Sequence, residues 1–133
     1  MKFNKLIPEL AVTDMKKSLD FYTKILRFKV EYAREKDKFA FLSLQGAQIM
    51  IQEKNGVWET AAMEKPFGRG INFQIEVKDI RGLLERLKKS KCKLFLGLKD
   101  SWYEVKGKSV GNREFLVQDS DGYLIRFFQE IKE

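Results

Sequence analysis

The chemistry open to this chain is limited first by a missing side chain, because its 133 residues include no histidine. Without an imidazole, a serine or cysteine nucleophile lacks its usual base. Ser101, Ser109 and the single cysteine, Cys92, stand in no motif that supplies another. One cysteine also excludes an internal disulfide and a cysteine-rich metal site. Gly68-Arg69-Gly70 precedes a strand pattern rather than a helix, so it is not a phosphate-cradling loop. No catalytic set emerges, and Glu9 is the one acid/base candidate. The aromatic side chains point to binding instead. Trp58, Trp102 and Tyr103, with Phe39, Phe41 and Phe67, offer flat walls for planar groups. A neighbouring Arg or Lys can add a cation–π contact.

These residues must be held by elements, and the elements repeat. Leu6 to Asp14 reads as a strand running into a helix N-cap, and so does Ile71 to Asp79, at an offset of 65. The helices that follow carry apolar stripes at Met15, Leu19, Tyr22 and Leu26, and at Ile80, Leu83, Leu84 and Leu87. Phe41 to Ile51 and Phe115 to Phe127 each read as strand, turn and strand, with Gly46 matching Gly122 at an offset of 76. The turn Asp119-Ser120-Asp121-Gly122 is a strong hairpin signal. The fold class expected is α+β, with two modules of about residues 1–53 and 69–133. The stretch 54–68, which carries Gly56, Pro66 and Gly68, joins them as a linker loop. Modules of about 60 residues are small to stand alone, so a single domain over residues 1–133 is expected.

Strand alternation divides each sheet into two faces. Leu6, Leu10 and Val12 share one face, as do Ile71, Phe73, Ile75 and Val77, and as do Tyr123, Ile125 and Phe127. That apolar face is the one the helices cover. The opposite face mixes Glu9, Gln48, Met50, Gln52, Asn72, Gln74, Glu76, Arg126 and Phe128. Burying it dry would leave polar groups unpaired at about 1–3 kcal/mol each, so it is expected to be wet or to line a ligand cavity.

Composition supports a folded, water-facing protein: 44% hydrophobic, 13% aromatic and 34% charged. The first apolar run breaks at Pro8 and Glu9, and no stretch is long enough to span a bilayer. A cytoplasmic protein with no membrane partner is expected. The net charge of +7 comes largely from solitary lysines, and the densest basic stretch, Arg86 to Lys93, sits at a helix C-terminus. No nucleic-acid partner is expected from that distribution.

Pro8 to Asp14, Ser18-Leu19-Asp20-Phe21-Tyr22, Leu26-Arg27-Phe28, Phe39 to Gln48, Gly68 to Phe73 and Asp119 to Phe127 together resemble the vicinal-oxygen-chelate superfamily, the glyoxalase/bleomycin-resistance/dioxygenase proteins. Their order and spacing carry the likeness over nearly the whole chain, and it is nearest to bleomycin-resistance-type proteins. The resemblance implies tandem βαβββ modules forming a cup-shaped mixed sheet with helices on its outer face. It also implies a homodimer with ligand clefts at the subunit interface.

Enzymes of that superfamily hold a divalent metal with one residue from each of four strands. The resemblance places those positions on Ile7, Met50, Asn72 and Arg126. Divalent metals want imidazole, carboxylate or thiolate, so no metal and no cofactor is expected, and glyoxalase, fosfomycin-opening and extradiol dioxygenase chemistry are disfavoured. The function implied is antibiotic resistance by sequestering a bleomycin-like drug, or the holding of another aromatic ligand, without catalysis. The expected ligand-binding residues are Glu9, Phe41, Met50, Trp58, Phe67, Asn72, Trp102, Tyr103 and Arg126. Glu9 is expected to pair with Arg126 or to meet a polar group of the ligand. The alternative is an enzyme using Glu9 as acid/base without a metal.

Overall fold

Each of the two α-helices begins at an aspartate, and the same reason serves both. In the computed structural model, which describes residues 1–132, Asp14 accepts a hydrogen bond from the backbone N–H of Lys17 at 3.1 Å. Asp79 accepts from that of Gly82 at 3.0 Å. Both caps satisfy a donor that the first helical turn leaves unpaired. The first helix, α1 (Met15–Asp20), runs into a π-helical turn, Phe21–Ile25. The second, α2 (Ile80–Lys89), is a regular helix that buries Ile80, Leu83, Leu84 and Leu87 and ends in Arg86, Lys88 and Lys89. Those cations lie where the helix dipole favours them.

The chain divides into two compact units, Met1–Phe67 and the residues from Gly68 onward. The first holds β1 (Glu9–Val12), β2 (Lys29–Arg34), β3 (Phe39–Leu44) and β4 (Ala47–Glu53) in the order β1-β4-β3-β2. The second holds β5 (Asn72–Glu76), β6 (Leu94–Val105), β7 (Lys108–Gln118) and β8 (Leu124–Ile131) in the order β5-β8-β7-β6. In both, the first strand is parallel to the last and the remaining neighbours are antiparallel. Each unit is therefore a βαβββ module with a mixed sheet, as expected. The repeat holds at the level of register: Glu9 lies opposite Met50, and Gln74 opposite Arg126, the same pair displaced by 65 and 76 residues.

The tight turns follow from residue type. Gln45-Gly46 and Lys106-Gly107 both take positive φ at the two loop positions, the geometry that matches strand twist in a two-residue hairpin. At the β7–β8 turn the Asp119 carboxylate accepts the N–H groups of Asp121 (2.9 Å) and Tyr123 (3.0 Å). The helix-facing cores are dry. Leu10, Val12, Leu42 and Ile51 are at most 4% exposed in one unit, and Val117, Ile125 and Phe127 at most 2% in the other.

Two assignments to the apolar face are corrected. Leu6 is 86% exposed because β1 begins only at Glu9, and Ile71 is 56% exposed because β5 begins at Asn72. Neither belongs to a strand, so alternation does not place it on a sheet face. Residues 54–71 contain no helix or strand.

Candidate functional site

The face of each sheet turned away from its helix carries the residues of interest, and the two modules fill equivalent positions differently. In the first unit that face is aromatic. Tyr32 of β2 stacks on Phe41 of β3, its cross-strand partner, with centroids 5.2 Å apart and planes 14° apart. Phe3 meets Phe41 edge-on at 5.4 Å, and Arg34 lies over the Phe39 ring at 4.0 Å. The segment carrying Phe3 is tied down by Gln48, whose side chain accepts from the Asn4 N–H (2.7 Å) and donates to the Lys2 carbonyl (2.6 Å). Phe41 is thereby buried to 1%, while Tyr32 and Phe3 remain 37% and 54% exposed. Glu31 accepts the Ser43 hydroxyl hydrogen at 2.6 Å, and that bond holds its carboxyl below the usual range.

In the second unit the equivalent face is polar. Arg126 of β8 donates from Nη2 to Gln74 Oε1 at 2.7 Å, and its Nε stands 3.9 Å from Glu114 Oε2. Glu114, on β7, is only 3% exposed and accepts the Tyr103 hydroxyl hydrogen at 2.8 Å. Register explains the convergence, since Leu116 faces Arg126 and Glu114 faces Phe128 on β8, while β5 sets Gln74 beside Arg126. The Arg126 Nε is buried and makes no hydrogen bond among the described residues.

Of the residues expected to bind ligand, the structure brings Tyr103 and Arg126 together through Glu114. Asn72 lies two residues from Gln74 on the same face of β5 and is exposed. Met50 is half-buried beside Phe41, its cross-strand partner. Glu9 is exposed at the start of β1, and Arg126 makes its ion pair and hydrogen bond to Glu114 and Gln74 within its own module. Trp58 is 80% exposed and Phe67 is 4% exposed, both in the segment between the sheets. Trp102 and Tyr103 lie near the end of β6. As consecutive strand residues they point to opposite faces, and Trp102 lies against Gly111, where any side chain would meet its ring. Asp100 is held by Arg113 at 2.8 and 3.1 Å, a two-pronged pair that lowers its carboxyl.

Sequence reasoning missed Tyr32, Phe3 and Glu114. Glu114 was within reach: counting back from the Asp-Ser-Asp-Gly turn along both strands puts it on the Arg126 face. Tyr32 was not, because a bulge between Val30 and Tyr32 shifts its register.

The sequence profile of the glyoxalase/bleomycin resistance protein/dioxygenase superfamily matches residues 5–127. The chain belongs to this superfamily. It is 32% identical over a 142-residue alignment to the bleomycin resistance protein of Geobacillus stearothermophilus, covering 95% of this chain and 96% of that one. The bleomycin resistance protein of Staphylococcus aureus strain MRSA252 matches with the same identity and coverage. Among solved structures, TioX from Micromonospora sp. ML1 shares the fold with a TM-score of 0.75 at 18% identity, over 97% of this chain and 100% of that one. The fosfomycin resistance protein FosX of Listeria monocytogenes does so with a TM-score of 0.63 at 21% identity, over 96% and 92%.

The four positions on which the resemblance places the superfamily's metal ligands carry residues that do not suit a metal. Ile7 offers only hydrocarbon, Met50 a thioether and Asn72 a neutral amide. Arg126 places a cation at the fourth, already engaged with Gln74 and Glu114. Among the described residues no group of three or more His, Cys, Asp or Glu could hold a metal ion. Cys92 is half-buried and burial pushes its thiol up, which disfavours the reactive thiolate. No helix among the described residues is long and apolar enough to cross a membrane.

Proposed function

We propose that this chain binds a drug-like molecule with a flat aromatic part and sequesters it, without a metal and without turnover. The observation that carries this reading is the full-length likeness to bleomycin resistance proteins, joined to a donor set unsuited to the superfamily's metal chemistry. Bleomycin is the first candidate ligand, and an aromatic metabolite the second. The open sheet faces supply what such a ligand needs: exposed rings at Phe3 and Tyr32 in one module and a hydrogen-bonding cluster around Arg126 in the other. Of the residues first expected to bind, Tyr103, Asn72, Met50 and Arg126 lie on those faces, and Phe41 underlies the rings.

The family profile spans both modules, which supports their acting as one binding domain. In the same reading a second copy of the chain completes the cleft, and the protein works as a cytoplasmic homodimer. Exposed apolar side chains on one edge strand of each sheet support that: Val30 and Tyr32 on β2, and Phe95, Leu96, Trp102 and Val105 on β6. Apolar edges left open to water invite a partner.

Trp58 and Trp102, both exposed, are the reporters for the test. Titration with metal-free bleomycin and a panel of small aromatics is expected to give saturable quenching, unchanged by a chelator, with every ligand recovered intact. Sedimentation equilibrium is expected to return twice the 15.7 kDa chain mass. Absence of saturable binding across the panel, or recovery of a chemically altered ligand, overturns the reading.

A further inference from the structure

The polar cluster of the second module has an imbalance that indicates what it holds. Among the described residues Glu114 is the only carboxylate paired with Arg126, and the pairing is an ion pair beyond hydrogen-bond reach. One oxygen takes the Tyr103 hydroxyl hydrogen at 2.8 Å and the other faces Arg126 at 3.9 Å. Buried to 3% exposure, it has little left to offer a ligand. Arg126 is the reverse case. Its guanidinium makes a single hydrogen bond, to Gln74, and its buried Nε makes none among the described residues, while the side chain as a whole is 32% exposed. The guanidinium therefore keeps N–H groups with no acceptor among the described residues, on a side chain that is one-third exposed.

We propose that Arg126 is an oxyanion-binding residue and that the group it takes is a carboxylate carried on an aromatic ligand. A carboxylate matches the planar fork through two parallel hydrogen bonds. The side-chain amides of Gln74 and Asn72, on the same face of β5, add neutral donors beside it. Phe128, half-buried, lies two residues along β8 on the same face as Arg126, so an apolar side chain for the ring adjoins the cation. Met50 occupies the equivalent position of the first module and has no such donor, so the anion preference belongs to the second module alone. Glu76, exposed and further along β5 on this face, opposes an anion but touches neither Arg126 nor Gln74. This assignment rests on the ligand-binding reading above and narrows the ligand to an aryl carboxylate class.

The test compares 2-naphthoate with 2-naphthamide, which share a ring system and differ in charge, with bleomycin run in parallel. Naphthoate is expected to bind the intact protein about tenfold or more tightly than the amide, one charge-assisted pair's worth of preference. In Arg126→Gln that preference is expected to vanish, with naphthoate losing at least about tenfold more affinity than the amide, and Arg126→Lys is expected to keep only part of it. Equal affinities for the two naphthyl probes in the unmodified protein, or failure of naphthoate to bind, overturns the oxyanion site. If bleomycin saturates in that same experiment, the sequestration reading stands alone; if nothing saturates, both fall. The comparison on the unmodified chain decides the matter even if the variants do not fold.

Discussion

Removing the buried carboxylate of Glu114 separates a structural role from a surface one. Truncation in Glu114→Ala takes away the acceptor of the Tyr103 hydroxyl, a hydrogen bond to a charged group of about 1.5–3 kcal/mol. It also removes the counter-charge 3.9 Å from Arg126. At that distance the attraction is about 4 kcal/mol for an effective dielectric of about 20. It falls to about 1–2 kcal/mol because a guanidinium one-third exposed is well screened. Relief of the carboxylate's desolvation offsets part of both. The expected net loss is about 2–3 kcal/mol in urea unfolding followed by circular dichroism. Glu114→Gln keeps an acceptor for Tyr103 and removes a buried charge, so its loss is expected to stay within about 1 kcal/mol. Tyr103→Phe alone is expected to cost about 1 kcal/mol, and a cycle with Glu114→Ala to show coupling of similar size. The account of the cluster is refuted if alanine costs less than about 0.5 kcal/mol, if glutamine costs as much as alanine, or if the cycle shows no coupling.

Three further outcomes follow from local geometry. Asp79→Ala removes the cap of α2 and is expected to lower stability by about 1 kcal/mol in the same assay, with Asp79→Asn nearly neutral. Gly111→Ala puts a methyl group into the Trp102 ring, so the ring must move outward; in a Trp58→Phe background the emission is expected to shift red and become more accessible to iodide. The carboxyls of Asp20, Glu31, Glu53, Glu59 and Asp100 are all lowered in the folded state, by hydrogen bonds first and charge second. The unfolded chain therefore binds more protons in the acid range. Stability from these groups is present above the ordinary carboxylate range and is lost as pH falls through the folded values, so Tm is expected to drop from about pH 5 toward pH 3. Asp20 and Asp100 are the most exposed of the five, so added salt is expected to shrink their share of that drop most. The Glu31 share, which comes first from the Ser43 hydroxyl, is expected to persist, and Ser43→Ala tests that.

Much of this molecule was legible in one dimension because its signals are local and doubled. Aspartate before an apolar helical stripe marks a helix start wherever it occurs, and here it occurs twice, 65 residues apart. That the two modules share one strand order, with Glu9–Met50 equivalent to Gln74–Arg126, follows from that repetition. The unsuitability of Ile7, Met50, Asn72 and Arg126 for a metal is a property of residue type, so the sequence alone determined it once their positions were known.

Tertiary structure decided which side chains meet. A strand pattern assigns a residue to a face but does not say how far its head group reaches or which neighbour a bulge has moved beneath it. Arg126 meets Gln74 and Glu114 because parallel pairing sets β5 beside β8 and antiparallel pairing sets β7 on its other side. Phe41 is buried because the Lys2–Asn4 segment folds back over it, held by Gln48 more than 40 residues away. Trp102 and Tyr103, neighbours in the chain, end on opposite faces of one strand, and only one joins the polar cluster. Residue type fixed which chemistry was open to the chain; pairing across the sheets chose the partners, since hydrogen bonds and ring contacts act over a few ångströms that sequence separation does not measure.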